Sequence, residues 1–80
     1  MRVLYFGVLK DVFGCEGEVL ELADGASVAD LLMVFRGRDV GSAGLWDSIA
    51  VAVNQVYARG VDVLREGDEV ALLPPVSGGC

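Results

Sequence analysis

The sequence predicts a small α+β domain, built as a mixed sheet of four or five strands with one main helix covering one face. Three observations carry this. Five short segments are rich in β-branched, aromatic or leucine side chains. A single longer segment has apolar residues at helical spacing. No repeat, linker or low-complexity block divides the 80 residues, so one domain is expected over 1–80, with a flexible tail at 74–80. At this size a single core is only just large enough to fold without staples. Here 54% of the residues are hydrophobic.

Val3 to Leu9 is apolar on both faces and reads as a central strand. Lys10-Asp11 and the turn-prone Gly14-Cys15-Glu16-Gly17 follow. Glu18 to Asp24 then places Leu20 and Leu22 on one face and Val19 and Glu21 on the other, the pattern of a half-exposed strand in a hairpin with the first. Ser27 is a good N-cap with Asp30 three residues on, a weaker form of the capping box. Val28, Leu31, Leu32 and Phe35 fall at i, i+3, i+4 and i+7 and make one stripe for packing on a sheet. The helix is expected to reach Arg36, with Gly37 as its stop. Arg38 to Gly44 reads as irregular, and a short helical turn is expected around Leu45, Trp46 and Asp47. Ile49 to Val53 is a further strand, Asn54-Gln55 a tight turn, and Val56 to Ala58 a short return strand. A polar turn over Leu64 to Asp68 leads into Glu69 to Leu73, which Pro74 ends because proline cannot donate to a ladder.

The two segments most apolar on both faces, Val3 to Leu9 and Glu69 to Leu73, should lie side by side, parallel and central. One helix cannot shield all the apolar strand residues. The sheet face away from the helix should therefore keep an exposed hydrophobic patch, most simply a partner interface.

The composition also excludes. A formal charge of −6 repels nucleic acid and anionic membrane. No segment approaches the roughly 20 apolar residues of a membrane helix, and Met1 to Lys10 lacks the pattern of a secretory signal, so a cytoplasmic location is the expectation. The chain has no histidine, which removes the usual base and zinc ligand. Cys15 and Cys80 suggest neither a redox pair nor a metal cluster, and an iron–sulfur cluster of the ferredoxin kind needs four thiolates. No bound metal and no permanent cofactor are expected.

The tail Pro75-Val76-Ser77-Gly78-Gly79-Cys80 is uncharged. An extended diglycine can enter a channel too narrow for side chains and leaves its carbonyl open to attack, while Pro74-Pro75 stiffens the root. An ordinary frayed terminus has the same composition. The wider context favours the first reading. Val51 to Gln55 (VAVNQ) and Arg65 to Gly79 (REGDEVALLPPVSGG) resemble the small, sulfur-carrying subunits of molybdopterin synthase, as does the N-terminal VLYFGVLKDVFG, so the resemblance spans essentially the whole chain.

That resemblance implies a β-grasp, ubiquitin-like fold and a sulfur carrier of molybdenum cofactor biosynthesis. Such a chain is no enzyme alone; it is the sulfur-donating small subunit of a sulfurtransferase. An E1-like activating enzyme uses ATP to adenylate the terminal glycine carboxylate. A sulfur donor protein converts the adenylate to a thiocarboxylate, and the tail enters the large synthase subunit. Carried over by position, Gly79 bears the reacting carbon, and Pro75, Val76, Ser77 and Gly78 bind in the partners' channels. Cys80 departs from the pattern, because Gly79 has no free carboxylate while it is present. It is a residue for a protease to remove, an addition to the natural chain, or a thiol that itself accepts the acyl group, for which no catalyst is visible. A carrier for thiamine or tRNA thiolation, a ubiquitin-like protein modifier and a non-covalent interaction module are the alternatives.

Several single residues have two readings. Cys15 is a sulfur relay or an incidental thiol, and Trp46 an interface anchor or the closure of the core. Lys10 positions the tail or is a solvated surface lysine. Phe6 and Leu73 read as core or sheet-face residues, and Asn54 as a turn residue.

Overall fold

Strand β1 (Arg2–Tyr5) pairs in parallel with β5 (Glu69–Leu73), Arg2 opposite Glu69 and Tyr5 opposite Leu72, in a computed structural model that describes residues 1–39 and 43–74. β2 (Gly17–Val19) lies antiparallel on the outer side of β1, and β3 (Ala50–Val53) antiparallel on the other side of β5. β4 (Val56–Ala58) completes the order β2-β1-β5-β3-β4. The first and last strands are thus adjacent, parallel and central, as their two apolar faces predict. The β3–β4 hairpin turns on Asn54 and Gln55, both left-handed with φ 51° and 70°. Two successive left-handed residues match the twist of the flanking strands.

The described residues form three helices, α1 (Val8–Phe13), α2 (Val28–Arg38) and α3 (Ala43–Ser48); α2 is the main helix expected, α3 contains the short helical turn expected around Leu45 to Asp47, and α1 replaces the end of the expected first strand. α2 starts as its sequence dictates, with the Ser27 hydroxyl accepting from the Asp30 N–H and the Asp30 carboxylate accepting from the Ser27 N–H. Other boundaries differ from expectation. The first strand stops at Tyr5, and Val8–Leu9 open α1. Gly7 breaks the ladder at φ 57° and ψ −134°, and Leu9 and Phe13, one helical turn apart, point into the core until Gly14 closes the helix in the left-handed region. The second strand ends at Val19 rather than Asp24, its ladder to β1 closing at the bond from the Leu20 N–H to the Met1 carbonyl, before the turn at Asp24-Gly25 that leads to α2. α2 also runs through Gly37 to Arg38. Arg38 holds that last turn by lying 5.3 and 5.2 Å above the Phe13 and Phe35 rings and pairing with Glu18 on β2.

Val28, Leu31 and Phe35 of α2 are fully buried on Val3, Tyr5, Val51, Val70 and Leu72, while Leu32 is half-buried at the margin. Removing each such side chain from water contributes ~1.5–3 kcal/mol. The aromatic residues close one end. Phe35 stacks on Trp46 at 5.5 Å and meets Tyr5 edge-on at 6.0 Å, with Phe13 at 5.5 Å.

The Glu18–Arg38 pair makes a pH prediction. The Arg38 guanidinium donates to both Glu18 oxygens at 2.5 and 3.5 Å and holds that carboxyl below its usual range. A carboxyl depressed in the folded state stabilises above its unfolded pKa, and the contribution is lost as pH falls through its folded value. Both side chains are partly solvated, so Glu18→Gln should cost only ~0.2–1 kcal/mol at pH 7. In urea titrations the gap between variant and wild type should close as the pH drops below the ordinary carboxylate range.

Candidate functional site

The described chain ends where the tail begins. Pro75, Val76, Ser77, Gly78 and Gly79 lie outside the described residues, so the site available to inspection is the tail's root and the sheet face beside it. Alternation along the strands sends Val3, Tyr5, Val70, Leu72 and Val51 to the helices. It sends Leu4, Ala71, Leu73, Ala50 and Tyr57 to the other face, which no helix of the described residues covers. Across that face Leu73 is opposite Ala50, and Ala52 lies between Ala71 and Tyr57. Small Ala50 forms part of a cleft of about 500 Å³ whose walls include Phe6, Tyr57, Leu73 and Pro74. Phe6 is 41% and Tyr57 77% exposed. A hydrophobic patch on the uncovered face is therefore present, as the surplus of apolar strand residues predicts.

Pro74 packs against Gly7, close enough that a Cβ at Gly7 would sit 3.0 Å from its Cγ. Among the described residues, Ser48 and Tyr57 supply the only side-chain polar atoms in the cleft walls. The cleft is an open, largely apolar face beside the root of the tail.

The sequence pattern of the ThiS family matches residues 3–79. This chain belongs to the ThiS family. The match stops at the second glycine and leaves Cys80 outside it. Among curated ThiS-like relatives, the chain is 38% identical to the molybdopterin synthase sulfur carrier subunit of Chlamydomonas reinhardtii, over 99% of this chain and 98% of that one. It is 33% identical to the Homo sapiens protein of the same name, over 99% and 93%. Among solved structures it is similar to SAMP1 of Haloferax volcanii, with TM-score 0.80 and 30% identity over 98% of this chain and 97% of that one. It is also similar to a chain in the complex of subunits 1 and 2 of the Helicobacter pylori molybdopterin-converting factor, with TM-score 0.68 and 25% identity over 98% and 96%. The ubiquitin-like β-grasp expected from the resemblance is the fold.

The turns singled out in the sequence, Asn54-Gln55 and Gly67-Asp68-Glu69, have structural reasons. The Asn54 amide donates to the Asp68 carboxylate at 3.0 Å, its side-chain oxygen accepts from the Glu69 N–H at 3.0 Å, and its own N–H donates to the Glu69 carbonyl at 2.7 Å. The NQ turn and the GDE turn therefore clamp each other and fix where β5 starts. Hydrogen bonds from the Arg65 N–H and then the Asn54 amide hold the Asp68 carboxyl below its usual range. Trp46 is fully buried in the core, with its Nε1 donating to Asp39 at 3.2 Å, so it closes the core and is no surface anchor. Cys15 is exposed just after α1. Lys10 is exposed and makes no ion pair among the described residues. Sequence reasoning missed Tyr57. Its position opposite Ala52 across a two-residue turn is the signal that places it on the open face.

Proposed function

We propose that this protein is the sulfur carrier of molybdopterin synthase and that Gly79, as a terminal residue, carries the sulfur. The observation that carries this reading is the full-length similarity to molybdopterin synthase sulfur carrier subunits, together with a family match that ends on Gly79. The chemistry follows from the end group. A carboxylate is a poor acyl donor, and an E1-like activating enzyme uses ATP to convert it to an acyl adenylate, with release of pyrophosphate. Sulfur delivered by a sulfur donor protein at the sulfide level attacks the Gly79 carbonyl, AMP leaves, and a thiocarboxylate results. The tail Pro75-Val76-Ser77-Gly78 then carries it into the large synthase subunit, where the sulfur passes to the pterin precursor. The Phe6–Tyr57–Leu73 face beside the tail's root, apolar and uncovered among the described residues, is the surface for that subunit. The complex of subunits 1 and 2 from Helicobacter pylori supports a two-subunit assembly.

Cys80 must be removed before Gly79 can react. With activating enzyme, ATP and sulfur donor, a chain ending at Gly79 should become thiocarboxylated, seen as one oxygen replaced by sulfur in the intact mass. The chain ending at Cys80 should stay unmodified until it is trimmed. Equal thiolation of the two, with no cleavage by mass, would overturn the requirement for removal.

A further inference from the structure

The uncovered sheet face changes character along its strands. The Phe6–Tyr57–Leu73 cleft lies at the end where β5 runs into Pro74. The opposite end of the same face carries charge. Arg2 and Leu4 alternate with Val3 and Tyr5 on β1, and Glu69 and Ala71 alternate with Val70 and Leu72 on β5; the second member of each alternation is fully buried. Arg2 and Glu69 therefore lie on the uncovered face, directly opposite each other in the parallel ladder. They do not pair. Neither side chain makes a hydrogen bond or an ion pair among the described residues, whereas Arg36 and Arg38 are held by Asp47 and Glu18.

Size decides whether a partner seated on the cleft reaches this end. A specific interface buries ~800 Å² on each partner, the area of a disc of ~16 Å radius. Leu73 and Glu69 are the two ends of β5, ~13 Å apart at ~3.3 Å per residue. A partner centred on the cleft thus covers Arg2 and Glu69 together with the apolar end. Unless it brings charges of opposite sign to them, both are desolvated without a partner, which is strongly unfavourable.

We propose that Arg2 and Glu69 determine specificity for the large synthase subunit, which meets Arg2 with a carboxylate and Glu69 with a guanidinium or ammonium group. This rests on the function proposed above and extends its docking surface to a second, charged end. Charge at one end and apolar side chains at the other give the face a direction. A subunit turned end for end would set its charged groups on Phe6 and Leu73 and its apolar surface on Arg2 and Glu69, a mismatch at both ends. The orientation that satisfies both ends fixes which part of the subunit stands over Pro74, where the tail begins.

The test measures the dissociation constant for the large synthase subunit of the chain ending at Gly79, as wild type, Arg2→Glu, Glu69→Arg and the double swap. Each single reversal should weaken binding about tenfold, the change that ~1.4 kcal/mol represents. Arg2→Glu makes the chain more negative than −6 and Glu69→Arg less negative, so an effect of net charge alone would move the two affinities in opposite directions. The double swap restores the net charge and leaves both contacts mismatched, so it should bind no better than the single reversals. Like charges opposite each other in a ladder are destabilising, so Arg2→Gln and Glu69→Gln are measured beside the reversals. Both should keep the wild-type urea midpoint and still weaken binding. The proposal is overturned if the reversals bind as well as wild type, if the two single reversals shift affinity in opposite directions, or if the double swap recovers wild-type affinity. A wild-type chain that does not bind the large subunit at all overturns the function proposed above, and this inference with it.

Discussion

Thiocarboxylate formation is expected to collapse in a chain that ends at residue 79 and carries Gly79→Ala, while the fold is untouched. Residue 79 lies six positions past the last residue of β5, Leu73, so an added methyl group should change unfolding free energy by less than ~0.5 kcal/mol. In the proposed function, an activating enzyme and the synthase would each have to bring the same acyl carbon within bonding distance of a reagent inside a closed site. Misplacing a reacting atom by about an ångström costs on the order of a hundredfold. Two consecutive sites impose that demand, so the loss in sulfur delivered should exceed the loss in either step alone. Thermal melts paired with intact-mass assays separate the outcomes. A variant that melts normally and thiolates normally would remove Gly79 from the role assigned to it.

Phe35→Ala should have the opposite signature, a large loss of stability with an intact tail. The Phe35 ring is fully buried, stacks on Trp46, meets Tyr5 and Phe13 edge-on and lies under the Arg38 guanidinium. Truncating a buried aromatic residue costs ~3–5 kcal/mol from lost transfer energy and the cavity left behind. Native domains have only ~5–15 kcal/mol in total, so a large part of the population should unfold on mild heating. Phe35→Leu keeps part of the volume and should recover a measurable share of the urea midpoint. If Phe35→Ala shifted the midpoint no more than a surface substitution does, the four-ring cluster would not be what closes this core.

Elements with a local cause were legible in the sequence. Ser27 and Asp30 cap α2 from within one turn, Asn54-Gln55 sets its own hairpin, and the two-faced apolarity of Glu69 to Leu73 demands a central position. Elements with a tertiary cause were not. Val8 to Phe13 is too short a run for helical and strand periodicity to be told apart, and the left-handed Gly7 that separates β1 from α1 has no signature beyond being a glycine. The length of β2 depends on where β1 starts. Arg38 holds the end of α2 only because Glu18 comes from a strand twenty residues away in sequence. At the candidate site, the tail residues carry a readable motif, whereas the cleft beside them depends on the register that sets Tyr57 against Ala52. The pairing of Asn54 with Asp68 shows the same limit: both motif halves were visible, and their contact was not.

The parallel neighbours β1 and β5 also have a mechanical meaning. A partner that draws on the chain beyond Pro74 pulls β5 along its own axis. The hydrogen bonds to β1 on one side and β3 on the other run across that axis, so the load falls on all of them together and none can be peeled off in turn. A hairpin pulled from its open end would instead unzip bond by bond. Tension applied at Pro74 along β5 is therefore shared by both ladders before it reaches the core.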